Sequence, residues 1–233
     1  ITTSATPTEV QKVFKDFRVI ETGIKHGTVT VLIDNEPLEI TTYRSESTYS
    51  DNRHPDSVVF STSLKDDVIR RDFTMNAIAY DFEQGFVDLV DGMSDINEQI
   101  IRCIGDAETR FREDALRILR ALRFSAVLGF AIEEKTSLAI HKCKDLLKNI
   151  SAERIQVEFS KLICGKNAYN VLEEYADVVC VFIPEIKDSI AFEQINRHHI
   201  YDVYTHSLKA LEQSKKDLHI RLALLLHDIG KPL

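Results

Sequence analysis

The sequence predicts a segregated α+β fold, a mixed β-sheet portion followed by an all-helical one, on three observations. Apolar and polar residues alternate with period two in "GTVTVLID" and "PLEITTYR". From about Gly105 the apolar spacing lengthens to that of a helix and stays there. With 233 residues, 44% of them hydrophobic, the chain can bury a real core, and no repeat or low-complexity linker interrupts it.

Taken in order, Thr6, Pro7 and Glu9 spell a capping-box start, so a short helix follows. The two alternating segments flank the turn-rich "DNEP" and read as paired strands. "NAIAYDFEQGFVDLV" predicts a second hairpin, with Gly85 in its turn. Helices are expected near 111–128, 133–147, 151–163, 167–176, 202–214 and 217–227, with Gly129 ending the first.

The charge of −8 disfavours indiscriminate binding to nucleic acid. Arginine is concentrated between Arg102 and Arg123, where any phosphate partner should sit. No apolar run is long enough to span a bilayer, and "ITTSATP" lacks the features of a secretion signal, so a cytoplasmic protein without a membrane partner is expected. Cys103, Cys143, Cys164 and Cys180 form no C-x-x-C pair and read as packed thiols.

The most informative stretch is "REDALRILRALRF". On a helix, Ala115, Leu119, Leu122 and Ala126 form an apolar stripe, while Asp114, Arg117, Arg120 and Arg123 follow a ridge on another side. Taken alone, the ridge reads first as an ordinary solvated face with an intrahelical ion pair. The other reading uses hydrogen-bond chemistry: a guanidinium only donates and a carboxylate only accepts, so Arg117 beside Asp114 presents a donor next to an acceptor. Cytosine (N3 beside an amino group) and adenine (N1 beside an amino group) match that pair. Uracil and guanine oppose it, leaving buried polar groups unpaired. Glu113 is placed to orient Arg117, and Arg120 and Arg123 are available to triphosphate oxygens.

"EITTYR", "YSDNRHPDSVVF", "RRDFTMNAIAYD", "DLVDGMSDI", "FREDALRILRALRFSAVLGF" and "LLLHDIGKP" occur together and in order. In these motifs the chain resembles the bacterial class II tRNA nucleotidyltransferases, the CCA-adding enzymes, and their relatives the poly(A) polymerases. The resemblance implies a nucleotidyltransferase-type mixed-sheet head at 1–106, a helical neck at 107–159 and a helical body at 160–233 that opens an HD-like region. It implies template-independent addition of CCA to tRNA 3′ ends, with CTP, ATP and the tRNA acceptor arm as partners; poly(A) addition is the near alternative. It assigns the incoming base to Asp114 and Arg117, the nucleotide to Arg120, Arg123 and Arg71, and the ribose 2′-hydroxyl to Asp72. Arg70 and Asn76 become supports, although Asn76 equally suits a turn or strand start. Arg53 falls in the family's mobile loop.

Nucleotidyl transfer in this family uses Mg²⁺ held by a D-x-D pair and a third acidic residue on a neighbouring strand. Glu39 matches the third, although in isolation it reads as an exposed strand carboxylate. The D-x-D is not in the sequence, so the resemblance implies an incomplete record of a longer enzyme, truncated at both ends. As printed, the chain is then expected to bind nucleotide poorly and to transfer nothing. At the other end, His206, His227 and Asp228 resemble the metal ligands of HD phosphohydrolases and imply a second divalent ion. Two further alternatives stay open: an HD-type phosphohydrolase, and an inactive tRNA-binding module.

Overall fold

The computed structural model describes residues 1–21, 23–46, 57–193 and 200–232. The chain opens with β1 (Thr2–Thr3), α1 (Pro7–Val13), β2 (Arg18–Ile20), β3 (Thr28–Ile33) and β4 (Glu36–Thr42). The capping box is present: Thr6 Oγ1 accepts from the Glu9 N–H, and Glu9 Oε2 accepts from the Thr6 N–H at 2.7 Å. The four strands form one sheet in the order β1-β4-β3-β2, with β1 parallel to β4 and the other pairs antiparallel. Asp34 and Asn35 both take positive φ (51° and 67°), the backbone twist of a two-residue hairpin, which aspartate and asparagine tolerate. Val10 of α1 packs on Val29, Val31 and Ile40 of the sheet. The period-two alternation sends Ile40 inward and leaves Glu39 exposed.

Next come β5 (Arg44–Glu46), β6 (Val58–Phe60), α2 (Leu64–Ile69), a 3₁₀ turn at Thr74–Asn76, β7 (Ala79–Asp81), β8 (Gly85–Val87), α3 (Gly92–Glu98) and β9 (Ile100–Ile101). The second hairpin forms as the sequence predicts, with Gly85 at φ 75°, but it is shorter: Asn76 lies in the 3₁₀ turn, not at a strand start. Gly92 is required by packing. A Cβ there would sit 2.3 Å from the Thr74 carbonyl oxygen.

The helical part comprises α4 (Ala107–Glu113), α5 (Leu116–Leu128), β10 (Ala131–Ile132), α6 (Glu134–Cys143), a 3₁₀ segment at Lys144–Asn149, α7 (Ala152–Ile163), α8 (Ala168–Glu174), α9 (Ala176–Val179), α10 (Ile186–Ser189), α11 (Val203–Gln213) and α12 (Leu218–Leu226). The expected continuous helix at 111–128 is corrected. Asp114 adopts extended backbone (φ −136°, ψ 103°), ends α4, and through Oδ1 accepts from the Leu116 N–H at 3.1 Å as α5 begins. An aspartate that bonds the backbone ahead of it competes with the helix. The expected helices at 133–147 and 167–176 also divide: the first becomes 3₁₀ after Cys143, and the second breaks at Tyr175. Gly129 ends α5 at φ 72° as predicted.

Ala115, Leu119, Leu122 and Ala126 are completely buried, in a core that runs from Phe73 and Ile101 to Leu211 and Leu225. The β9–β10 pair is parallel and joins the helical part to the end of the mixed portion. Arg221 of α12 is buried; its Nη1 donates to the carbonyls of Ile163 (2.6 Å) and Gly165 (2.9 Å), filling acceptors left open where α7 ends. All four cysteines are free thiols. Burial pushes Cys103 up to about 12, which suits packing and not reactivity.

Candidate nucleotide site

Helix α2 begins with Ser63 as N-cap and ends at Ile69, leading into the RRD motif at 70–72, so that the stretch reads "DDVIRRD". Three- and four-residue spacing brings Arg70 and Arg71 back over Asp67, which is completely buried. Arg70 Nε donates to Asp67 Oδ1 at 3.0 Å, and Arg71 Nη2 to Oδ2 at 3.0 Å. Asp67 therefore anchors both arginines of the RRD motif. Sequence reasoning missed it, although the spacing was a visible signal.

Asp72 points the other way and is nearly buried. It accepts from the Phe73 N–H (2.8 Å), from Asn76 Nδ2 (3.2 Å) and from Arg120 of α5 (Nε 2.7 Å, Nη2 2.6 Å). Asn76 thus orients Asp72. The ion pair to Arg120 fastens the RRD segment to α5.

The break between α4 and α5 shapes the rest of the site. Glu113 Oε2 accepts from Arg117 Nη1 at 2.7 Å, and Arg117 also donates to the carbonyls of Arg110 (3.1 Å) and Arg70 (2.9 Å). Three acceptors fix the guanidinium plane. Because Asp114 has left the helix, its carboxylate meets Arg154 of α7, with Nη2 3.2 Å from Oδ2. Arg154 is a second residue absent from the sequence reading; no local pattern marks a contact 40 positions away.

Asp114, Arg117, Arg120, Arg70, Arg71, Asp72 and Asn76 all line one cleft of ≈ 1100 Å³. Other predicted residues lie elsewhere. Arg123 forms an ion pair with Glu158 of α7 at 2.6 Å and covers the Phe124 ring at 4.0 Å; it does not line the cleft. Glu39 is exposed on β4, and among the described residues no group of three or more metal-ligating side chains contains it. The described residues therefore do not fit a two-metal Mg²⁺ site on their own. Arg53 lies outside the described residues.

The histidine-rich region does assemble. His206 on α11 and His227 and Asp228 at the end of α12 hold their ligand atoms within 4.8 Å of one another. His227 Nε2 is 3.2 Å and His206 Nε2 3.9 Å from Asp228 Oδ2, which also accepts from Lys231 at 2.7 Å. Partial burial pushes the Asp228 carboxyl up, but the Lys231 ammonium and the two imidazoles outweigh it and hold the carboxyl below its ordinary value.

Residues 1–102 match the "Poly A polymerase head domain" family, and residues 129–188 match the "Probable RNA and SrmB- binding site of polymerase A". The chain is 47% identical over 189 residues to the CCA-adding enzyme of Enterococcus faecalis, covering 81% of this chain and 46% of that one. It is 52% identical over 172 residues to that of Leuconostoc citreum (74% and 42%). It spans about half the length of the curated relatives it matches. Among solved structures, the Bacillus stearothermophilus CCA-adding enzyme in complex with CTP superposes with a TM-score of 0.75 at 36% identity, over 98% of this chain and 53% of that one. A tRNA nucleotidyltransferase complexed with a primer tRNA and an incoming ATP analogue superposes with a TM-score of 0.63 at 25% identity, over 96% and 65%.

Proposed function

We propose, for a chain that belongs to the nucleotidyltransferase family of CCA-adding enzymes and poly(A) polymerases, that its cleft selects cytosine and adenine nucleotides without a template. The added residues are C, C and A, taken from CTP and ATP, and the acceptor is the 3′ end of tRNA. Residues 1–106 act as head, 107–159 as neck and 160–233 as body.

The observation that supports this best is the preorganised pair at the α4–α5 break. Arg117 is held by Glu113 and two carbonyls, and Asp114 by Arg154, in one cleft with Asp72 and Arg120. Arg117 donates to cytosine N3 or adenine N1, and Asp114 accepts from the exocyclic amino group. Donors and acceptors fixed before binding reject uracil and guanine because none can turn to suit them. Asp72 accepts from the ribose 2′-hydroxyl, and Arg120 and Arg71 face phosphate oxygens. Arg123 supports α5 through Glu158 instead of meeting the nucleotide.

The test is Arg117→Ala, with binding of CTP and UTP compared by saturation-transfer NMR at millimolar nucleotide. Loss of the CTP preference is expected in a chain that still melts cooperatively, at a lowered temperature because Glu113 and the Arg70 and Arg110 carbonyls lose their donor; an intact preference would refute base selection by this pair.

A second reading accompanies the first and rests on the gathered imidazoles and carboxylate. His206, His227 and Asp228 would hold a divalent transition metal, for which two nitrogens and one oxygen are a suitable set. When bound, such an ion supplies Lewis acidity for phosphoester hydrolysis.

A further inference from the structure

The β7–β8 hairpin holds three aromatic side chains out in solvent: Phe82 is 96% exposed, Phe86 67% and Tyr80 60%. They form one cluster. Tyr80 and Phe86 are cross-strand partners with ring centroids 5.2 Å apart, and Tyr80 meets Phe82 edge to face at 5.7 Å. Three neighbouring rings left in water are an exposed apolar patch of the kind that marks an interaction site. The turn below them is well fastened: Asp81 Oδ1 accepts from the N–H groups of Glu83 (2.9 Å) and Gln84 (3.0 Å), and Gly85 supplies the positive φ.

The location identifies the occupant. Tyr80 and Phe82 line the same cleft as Asp114, Arg117 and Arg120. At ≈ 1100 Å³ that cleft exceeds the roughly 300–1,000 Å³ usual for one small ligand, so a bound nucleotide leaves space beside it. Arg44, Arg70, Arg71, Arg117 and Arg120 line it against Asp72, Asp81 and Asp114, so cationic side chains outnumber carboxylates in the cleft that the rings border. Basic side chains along a groove with exposed aromatic faces at its mouth are the combination that receives single-stranded nucleic acid: phosphates meet the cations and unpaired bases stack on the rings.

We propose that the Tyr80–Phe82–Phe86 hairpin is a stacking platform for the unpaired 3′-terminal bases of the RNA acceptor. This rests on the reading of the cleft given above and adds a position for the second substrate. Stacking ignores base identity, so the platform serves an end whose last base changes as the chain grows.

The sequence contains no tryptophan, so Phe82→Trp introduces a single fluorophore at the platform and keeps an aromatic face. An RNA hairpin with a two-nucleotide 3′ overhang should shift or quench its emission, and the same hairpin with a blunt end should not. Phe82→Ala, which removes an exposed side chain the core does not use, should weaken binding of the overhang RNA about tenfold and leave blunt-end binding unchanged. Equal responses to overhang and blunt RNA, or no loss in Phe82→Ala, would overturn the platform. So would a concentration-dependent dimer that Phe82→Ala abolishes, since it would assign the patch to a second copy of the chain. The two readings fail separately. Preference for CTP over UTP without overhang preference removes the platform and leaves base selection standing. Overhang preference without nucleotide preference supports the platform and removes base selection.

Discussion

Arg154→Ala probes what holds Asp114 in the orientation that the proposed base selection requires. Arg154 Nη2 lies 3.2 Å from Asp114 Oδ2, and the two side chains are 25% and 21% exposed. Hydrogen bonds to charged groups contribute about 1.5–3 kcal/mol net, and partial exposure of both partners puts this pair near the lower end, about 1.5 kcal/mol. Without Arg154 the Asp114 carboxylate keeps its bond to the Leu116 N–H, but its second oxygen is free to turn toward solvent. The cost falls on ligands that use the carboxylate as an acceptor. CTP affinity should drop by roughly tenfold, while UTP, whose O4 carbonyl makes no use of an acceptor, should change little. Competition by saturation-transfer NMR reads the CTP/UTP ratio, and a thermal melt reads any general loosening of α7. Arg154→Lys keeps the charge with fewer donors and should recover part of the ratio. A lowered melting temperature with an unchanged CTP/UTP ratio would show that Arg154 only braces the helices, and the positioning role would be wrong.

Three other outcomes follow from the geometry. Burial pushes the Asp88 carboxyl up, but backbone N–H groups of Met93, Gly92, Val90 and Asp91 more than compensate and lower its pKa. A depressed folded-state pKa contributes stability above the ordinary value of about 3.9, and this is lost as pH falls through the lowered value. Asp88→Asn should therefore cost about 1–2 kcal/mol in urea unfolding at pH 7. Its difference from the parent chain should shrink toward pH 3; a pH-independent difference would rule out the carboxylate as cause. Leu119→Ala, at a completely buried position on α5, should cost about 2–5 kcal/mol in urea unfolding, and a loss below 1 kcal/mol would contradict the packing described. His227→Ala should abolish stoichiometric Mn²⁺ or Ni²⁺ uptake measured by elemental analysis after dialysis; retained metal would place the ion elsewhere.

Local signals were legible where the physics is local. The capping box at Thr6 and Glu9, the Asp34–Asn35 turn, the Gly129 stop and the apolar stripe of α5 each depend on residues a few positions apart. The helix break at Asp114 was hidden because its neighbours keep helical spacing; the competing bond from Asp114 to the Leu116 N–H overrides propensity. Most of the group proposed to select the base, Glu113, Asp114 and Arg117, is marked in the sequence by hydrogen-bond inventory and spacing. The long-range contacts could not: Arg154 reaches Asp114 from α7, Glu158 holds Arg123 outside the cleft, and β1 pairs in parallel with β4, which follows it only after α1, β2 and β3. Arg123 was assigned to the nucleotide because it continues the ridge of Arg117 and Arg120, and only the position of Glu158 shows where it is held. Asp67 was within reach, since "DDVIRRD" places a carboxylate three and four residues before two arginines.

The most direct test is a crystal structure of the chain soaked with CTP. The cytosine ring should lie at the α4–α5 break, with N3 within hydrogen-bond distance of the Arg117 guanidinium and the amino group facing the Asp114 carboxylate. Cytosine bound anywhere else, or bound there with both side chains turned away from its edge, would contradict selection by a protein-borne imitation of a base-pair partner.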